Sequence, residues 1–558
     1  MTTNPPYGQD PDHSEGPPPT PADPPTHPVS PAELAFDPAG LPVGSAAPVA
    51  GPPSDGGLRR RRRMWVVAGS MAAAVVLLGG GTAAALLAAS TFPHGAATPD
   101  EAVTAFVKAA QSKRLVAMGS MIAPSELSLV RQAMSDVRPP SGAPSPDPEQ
   151  AEALAAVWDS LTIDAAGIET SSEQIAGDVS IVSLTRGSIT IDADPEALSR
   201  LIDAAGAAAS PLGSTLGSTL PSEDAEEALA DLTASLPYTL TAADAAEELG
   251  FDPALVAVEE GGKWYVSAAM TIAELVFADA AKDNPALQRG TPLSAEETGA
   301  LGDAQAAASQ FTAGLGEVIA SGDVRTLAAA LPEAEARVVA VYGPAIWGRG
   351  DAGPGGLTLE ALEVSPVRDD DGRVRFGLDL LSLTGPTWTA TVSRDDPDLY
   401  TLDVKRDSAG GEASITGSVR ATGDDNWHVD YATTGDTEAD DASGSVDLAI
   451  GPDEWAIDIA TTAPDGESTG TSITLTDDCL SYEDSANPIM ATRVCASENP
   501  VVGETIESIN QMRKAIPHLP RPEALAGFTA IESDGGWRVS LTSSLLDIAA
   551  TVFPNGIQ

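Results

Sequence analysis

An uncharged run of residues, 64–91, follows five consecutive arginines, Arg59, Arg60, Arg61, Arg62 and Arg63. About 25 apolar residues at about 1.5 Å each cover roughly 37 Å, enough to cross the ~30 Å hydrocarbon core of a bilayer. Because the arginines precede the run and Trp65 stands at the expected interface, the positive-inside rule places the N-terminus in the cytoplasm. The sequence therefore predicts a cell-membrane protein with a single transmembrane helix and extracytoplasmic C-terminal domains.

The same run is compatible with a cleaved signal peptide, since small residues occur at Ala88, Ala89 and Ser90. That alternative requires an n-region of 63 residues and an unusually long apolar core, so we favour a retained anchor. No cysteine lies near the run, which excludes a bacterial lipoprotein anchor. The preceding tail, residues 1–63, is rich in proline and predicts a disordered cytoplasmic segment, either a spacer or a ligand for a proline-reading domain.

The chain is strongly acidic: it has 30 Lys and Arg residues against 81 Asp and Glu residues, a formal net charge of −51. Such a surface repels phosphate backbones, so we expect no nucleic-acid partner. It equally disfavours binding along an anionic lipid surface. Divalent cations, basic partners and solubility alone are all compatible with it.

Two segments 273 residues apart, 257–267 and 530–540, share one pattern. Each reads Ala-Val-Glu or Ala-Ile-Glu, then a pair of glycines, then Trp-x-Val-Ser, with the tryptophans at Trp264 and Trp537. Alternating residues on either side of a Gly-Gly turn predict a β-hairpin. A helical pattern follows both segments.

The starts of the two repeats also agree. Helical spacing of apolar residues around Phe106 is interrupted by polar residues, resumes, and stops at Pro124, and the same order around Phe311 stops at Pro332. The sequence therefore predicts an α+β fold with two related domains, 98–280 and 295–558, joined by a linker, 281–294. Period-two strands predict that the second domain contains an inserted β-meander over about 386–478.

The helices that carry Phe106 and Phe311, together with the Trp264 and Trp537 hairpins, resemble the cone-shaped α+β domains of the nuclear-transport-factor-two-like superfamily. More narrowly, the layout resembles actinobacterial membrane-anchored proteins of unknown function with such extracytoplasmic domains. The resemblance implies a helix packed on a curved antiparallel sheet in each domain. It implies no activity, because the superfamily includes enzymes, binding modules and spacers.

Cys479 and Cys495 are the only cysteines in the chain. Outside the cytoplasm, such a pair predicts a disulfide, and neither residue has a nearby histidine with which to form a zinc site. We expect no cofactor.

The motifs that suggest catalysis are weak. The string 466–470 fits Gly-x-Ser-x-Gly, but a nucleophile elbow lies between a strand and a helix, whereas this string is followed by a strand pattern. Asp369, Asp370 and Asp371 precede Gly372 without the ligand spacing of an EF-hand and predict a turn. Of the histidines, His428 and His518 belong to the predicted domains, and His428 lies on an alternating strand, where a solvent-facing position is expected.

These observations favour a non-enzymatic envelope module that presents its acidic domains to a protein or ligand. Two alternatives stay open. The first is a carrier or sensor of an apolar envelope lipid, which requires a large dry cavity. The second, which we disfavour, is a hydrolase that uses a pocket in the cone.

Overall fold

The computed structural model describes residues 94–136, 160–194, 236–347 and 356–552, with gaps in the last two ranges at 295, 371, 397, 409–410, 423–425, 435–440, 451–453, 464–465, 477, 487–490, 498–505, 507–525 and 534. The fold is α+β. The predicted tail, the arginines 59–63, Trp65, the transmembrane run 64–91 and His518 all lie outside the described residues. Within the part described, no helix has the length and apolarity needed to cross a membrane.

The first unit, residues 94–283, combines helices with a mainly antiparallel sheet. Its elements are α1 (Pro99–Gln111), α2 (Leu115–Gly119), α3 (Pro124–Asp136), β1 (Thr162–Ala176), β2 (Val179–Asp192), β3 (Tyr238–Thr241), α4 (Ala242–Leu249), β4 (Ala254–Glu260), β5 (Lys263–Ser267) and α5 (Ala268–Asp283). The sheet order is β1-β2-β4-β5, with β3 also paired to β2.

The second unit, residues 301–552, begins and ends in the same way. Its elements are α6 (Ala304–Ser321), α7 (Arg325–Ala329), α8 (Glu333–Trp347), β6 (Thr358–Asp370), β7 (Arg373–Gly385), β8 (Trp388–Asp396), β9 (Leu399–Ser408), β10 (Gly411–Ala421), β11 (Asn426–Thr434), β12 (Ala442–Ile450), β13 (Glu454–Thr462), β14 (Ser468–Thr476), β15 (Cys479–Asp484), β16 (Thr492–Cys495), β17 (Gly527–Ser533), β18 (Gly536–Ser540) and α9 (Leu541–Val552).

The meander is longer than the sequence predicted. Strands β7 to β16 pair consecutively, and β17 returns to pair with β7. The inserted strands β8–β16 therefore span 388–495, whereas we expected about 386–478. The extra hairpin at the end was missed because β15 and β16 have 6 and 4 residues, which is too short for a clear period-two signal.

The strands β2 and β7 each have two halves that pair with different strands. The first half of β2, 179–183, pairs with β4, and its second half, 188–191, pairs with β3. Likewise, residues 373–377 of β7 pair with β17, and residues 380–385 pair with β8. The meander thus starts at the place that β3 occupies in the first unit.

Buried clusters fill the space between helix and sheet in both units. In the first unit, Phe106 of α1 and Trp264 of β5 belong to one cluster. In the second, Phe311 of α6 packs against Phe528, with ring centroids 4.7 Å apart, and Trp537 packs against the same cluster. Each signature tryptophan therefore lies on the second strand of a hairpin and contacts the cluster that includes the first helix.

The same backbone contacts recur around these tryptophans. Trp264 pairs with Ala96, just before α1, and Trp537 pairs with Leu301, just before α6. The valine two residues after each tryptophan also bonds to the helical part of its unit. The Val266 N–H donates to the Met121 carbonyl at 2.7 Å, and the Val539 N–H donates to the Ala330 carbonyl at 2.8 Å. These recurring contacts tie the hairpin of each unit to its helices.

A glutamate holds the start of the last helix in each unit, buried at Glu126 and half-buried at Glu335. Glu126 of α3 accepts hydrogen bonds from the Ser267 hydroxyl and from the Ala268 N–H, the latter at 2.9 Å. Glu335 of α8 accepts from the Ser540 hydroxyl and from the N–H groups of 541 and 542, at 2.8–3.1 Å. These N–H groups have no partner within their helix, so the carboxylates act as caps. Burial raises the pKa of Glu126, whereas its Ser267 and Ala268 hydrogen bonds lower it.

The two units pack on each other through their last helices. α5 of the first unit packs against α8 of the second, and α9 of the second packs against α3 of the first. The Tyr342 ring lies 6.0 Å from that of Phe277, and its hydroxyl donates to Glu274 at 3.0 Å. Arg337 of α8 binds Glu260 of the first unit at 3.1 Å and has only 5% of its side chain exposed. The third helix of each unit thus contacts the C-terminal helix of the other.

Replacing the capping glutamate of the second unit is expected to loosen α9. Glu335→Ala leaves three donors at the start of α9 without their acceptor, which we expect to lower the free energy of unfolding by about 2–3 kcal/mol. Urea unfolding of the full chain, followed by tryptophan fluorescence, measures this loss, and amide hydrogen exchange should show faster exchange at 541 and 542. Glu317→Ala, on the exposed side of α6, is the control, and an equal loss in both variants would contradict the capping role.

Removing the arginine between the units is expected to be more costly. Arg337→Ala leaves Glu260, 11% exposed, without its cation, and a buried charge that loses its partner costs about 3–5 kcal/mol. The matched control is Arg325→Ala, because Arg325 and Glu297 form an ion pair whose side chains are 39% and 38% exposed. That pair is expected to contribute less than about 1 kcal/mol. Thermal unfolding of both variants tests the difference, and similar losses would show that Arg337 does not hold the units together.

Candidate functional site

The meander, strands β8–β16, is built differently from the two helix-covered parts of the fold. Each of its strands β8–β15 pairs with the strands before and after it along the chain, and β16 is the edge strand, paired with β15. None of its residues belongs to the three buried clusters of the described chain. A sheet normally buries one face against another element. The two faces of the meander are therefore the surfaces on which a binding site is expected.

One face, which we call the apolar face, follows from the strand register, since residues paired across antiparallel strands point to the same side. One row of cross-strand partners consists of Tyr400, Val419, Val429, Val446, Ile459 and Thr471. The next row on this face consists of Ala421, Trp427, Leu448, Ile457, Ile473 and Tyr482. The strands β10–β14 place no charged residue on this face.

The opposite face, the polar face, has a contrasting composition. The row between the two apolar rows consists of Arg420, His428, Asp447, Asp458, Ser472 and Glu483. Most other positions on this side are Ser, Thr, Ala and Asp. The meander is therefore a sheet with one apolar and one polar face, the pattern expected where one side must be covered.

The most exposed part of the apolar face surrounds a glycine. Leu402 and Ile415 are 38% and 43% exposed, the highest values among the large apolar residues of the meander. Gly417 is the cross-strand partner of Leu402 and follows Ile415 by two residues, and a Cβ there would approach the Asp430 carbonyl oxygen at 3.1 Å and no side chain. Tyr431, its other partner, instead lies over Gly444. We call this feature the Gly417 depression.

Two hollows lie on the polar face. One of about 550 Å³ is lined by residues of β10–β13 that include Ser418, Asp430 and Ser445. The other, of about 480 Å³, extends the same trough to β15 and includes Asp458 and Glu483. Small side chains leave this space open, and its carboxylates make it acidic. Within the described residues, no group of three or more His, Cys, Asp or Glu residues is placed to hold a metal ion.

His428 is held between two carboxylates on the polar face. Its Nδ1 lies 2.5 Å from Asp447 and its Nε2 lies 3.0 Å from Asp430. The hydrogen bond to Asp447 is the main cause that raises the pKa of His428, and Asp430 raises it further. A general base needs a free ring nitrogen directed at a substrate, whereas both nitrogens here bind carboxylates. The arrangement suits a cation that offsets the repulsion between Asp447 and Asp458, which face each other on adjacent strands.

The motifs singled out in the sequence lie away from these rows. Cys479 and Cys495 are bonded to each other, as predicted, and pair directly across β15 and β16 at the end of the sheet. The Gly-x-Ser-x-Gly string begins in the turn between β13 and β14, where the Gly466 N–H donates to the Ala463 carbonyl, and its serine, Ser468, is the first residue of β14. Asp370 ends β6, and Gly372, at φ +76°, precedes β7. Both strings therefore occur at hairpin turns.

The segregation of the meander into two faces was missed in the sequence. The sequence predicted period-two strands over this region but did not assign their alternating residues to two faces of one sheet. A signal was present, because all six tryptophans and tyrosines between 388 and 482 lie on one side of the sheet: Trp388, Tyr400, Trp427, Tyr431, Trp455 and Tyr482. Placing these residues on one face of the sheet requires the register of every strand pair, which the sequence alone does not supply.

Comparisons of the chain with protein-family models, with curated proteins and with solved structures found no match.

The charge on His428 can be measured directly. We expect its pKa to lie above 6.5 and to fall in Asp447→Asn, because that variant removes the carboxylate at Nδ1. A raised pKa means that the charged imidazolium stabilises the sheet at low pH and that this contribution is lost as the pH rises through the pKa of the folded state. NMR titration of the imidazole measures the value, with Asp484→Asn as a control. An unchanged pKa in Asp447→Asn would refute the contact.

Proposed function

We propose that this chain is a non-enzymatic binding protein of the cell envelope, in which two packed α+β units support a sheet whose apolar face holds another protein. The observation that carries the proposal is the separation of the meander into an apolar and a polar face. Across β10–β14 the apolar face has no charge, and it lies outside the buried clusters of the described residues. Tyr400 and Leu475 are buried on this face, whereas Leu402 and Ile415 are exposed. An exposed apolar patch of this kind is typical of a protein interaction site.

The chemistry of the described residues supports a binding role over catalysis. The cysteines are joined to each other, and both nitrogens of His428 are engaged by carboxylates. Common hydrolytic chemistry requires a nucleophile with a base, or a metal. The acidic trough is open, and Tyr431 is the one aromatic residue among those that line its two hollows.

A protein partner fits this geometry better than a lipid. A carrier of apolar lipid requires an enclosed apolar cavity, whereas the helix–sheet spaces of both units contain buried side chains such as Phe106 and Phe311. The two hollows described above are polar. A broad apolar face without charge is covered better by the broad surface of another protein than by a single lipid molecule.

The proposed location follows from the sequence. The arginines 59–63, Trp65 and the apolar run 64–91 support one membrane-spanning helix with the N-terminus in the cytoplasm. The paired cysteines support an oxidising compartment for the rest of the chain. The likeness of the two units, with their equivalent tryptophan hairpins, supports a common ancestry and the proposed relation to cone-shaped α+β domains.

Photocrosslinking tests the binding surface. The photoreactive amino acid p-benzoylphenylalanine is placed at 415, on the apolar face, or at 416, the exposed neighbouring position on the polar face, in cells that produce the full chain. We expect a discrete adduct from position 415 and none from 416, because successive side chains of a strand point to opposite faces. Adducts from neither position, or equally from both, would refute the proposed surface.

A further inference from the structure

We propose that the partner on the apolar face is a second copy of this chain, so that two meanders pack face to face as a two-layer sandwich. This inference rests on the proposed function and names its partner. It concerns the uncharged face of strands β10–β14 and is centred on the Gly417 depression, which Leu402 of β9 borders.

The dimensions of the face suit a second sheet. The five strands β10–β14, spaced about 4.8 Å apart, cover roughly 24 Å, and nine residues at about 3.4 Å cover roughly 30 Å. The resulting footprint of about 700 Å² lies within the roughly 600–1,000 Å² per partner of a standard stable interface. Sheets that pack face to face lie about 10 Å apart and interdigitate the side chains of their inner faces. The alternating Val, Ile, Leu and aromatic rows provide such side chains.

The exposed centre of the face is self-complementary. A two-fold interface places the same patch on both sides, so this patch must contain both a projection and a recess. Ile415 and Leu402 project from the sheet, at 43% and 38% exposed, beside the recess at Gly417. A two-fold axis near this point places Ile415 of each copy over Gly417 of the other. An unrelated partner would not require a recess and a projection side by side on this face, whereas a second copy does.

The charge distribution leaves this face free for self-association. Each copy carries a formal charge of −51, so two copies repel each other at long range. The acidic residues of β10–β14 lie on the polar face, including Asp430, Asp447 and Asp458. Packing through the apolar faces therefore keeps these carboxylates in water on the outer sides of the sandwich. Because salt screens the remaining repulsion, the dimer is expected to tighten as ionic strength rises.

Sedimentation equilibrium of the purified full chain in the neutral detergent dodecyl maltoside tests the dimer. We expect a species with about twice the 56.7 kDa mass of the chain. Ile415→Asp should raise the dissociation constant at least tenfold, because it introduces a charge into the apolar interface. Thr416→Asp adds the same charge one residue away on the polar face and should leave the constant unchanged.

Two further variants keep the test decisive if Ile415→Asp misfolds. Gly417→Val fills the recess with a side chain that favours β-strands. It should weaken the dimer by a similar factor. In native membranes without detergent, Ile415→Cys under mild oxidation should give a crosslinked homodimer, and Thr416→Cys should give none. A monomer at all concentrations, or a dimer indifferent to these changes at 415 and 417, would overturn the second-copy proposal.

These outcomes separate the two proposals. A monomeric purified chain that still crosslinks from position 415 to a different protein in cells would refute self-association and leave the proposed binding surface intact. The absence of adducts from position 415 in cells, together with a monomeric purified chain, would refute both.

Discussion

The pairing of strand β7 is the constraint on which the rest of the second unit depends. Its first half pairs with β17 and so belongs to the helix-covered core, whereas its second half pairs with β8 and starts the meander. Phe376, in the first half, is only 1% exposed and stacks on Phe528 at 5.6 Å. The meander therefore extends from a strand whose other half is fixed by the core. The same division of β2 in the first unit, where β3 occupies the equivalent place, explains how two units that begin and end alike differ so much in size.

The parts of the fold that the sequence predicted are those encoded by local patterns. The hairpins around Trp264 and Trp537 were found because glycines and alternating residues specify a turn between two short strands. The glutamate caps were missed, although the starts of the two last helices share a pattern. Ser267, Thr271 and Glu274 in the first unit correspond to Ser540, Ser544 and Asp547 in the second. Their acceptors, Glu126 and Glu335, lie 141 and 205 residues from the serines that they bind. No local pattern identifies a partner at that distance.

The candidate site shows a second limit of sequence reasoning. Period-two alternation predicted strands in the meander, and those strands are present, but function depends on which residues share a face across many strands. A shift of one residue in any pairing would exchange the two faces of every following strand. The register places Val429, Val446 and Ile459 in one row and His428, Asp447 and Asp458 in the next, on the opposite side. Apolar and charged residues that alternate along each strand thereby become two separate surfaces.

The disulfide is placed where the pairing of the sheet is weakest. Strand β16 forms only four residue pairs with β15, whereas the central strands form eight or more with each neighbour. Cys479 and Cys495 are direct partners in that short ladder and are 16 residues apart in sequence. Closing a loop of about this size reduces the entropy of the unfolded chain and stabilises the fold by about 3 kcal/mol. A terminal hairpin with few hydrogen bonds would otherwise separate first, which would expose the backbone of β15 and the end of the apolar face. One covalent bond at the edge therefore maintains the full width of the surface that we propose for binding.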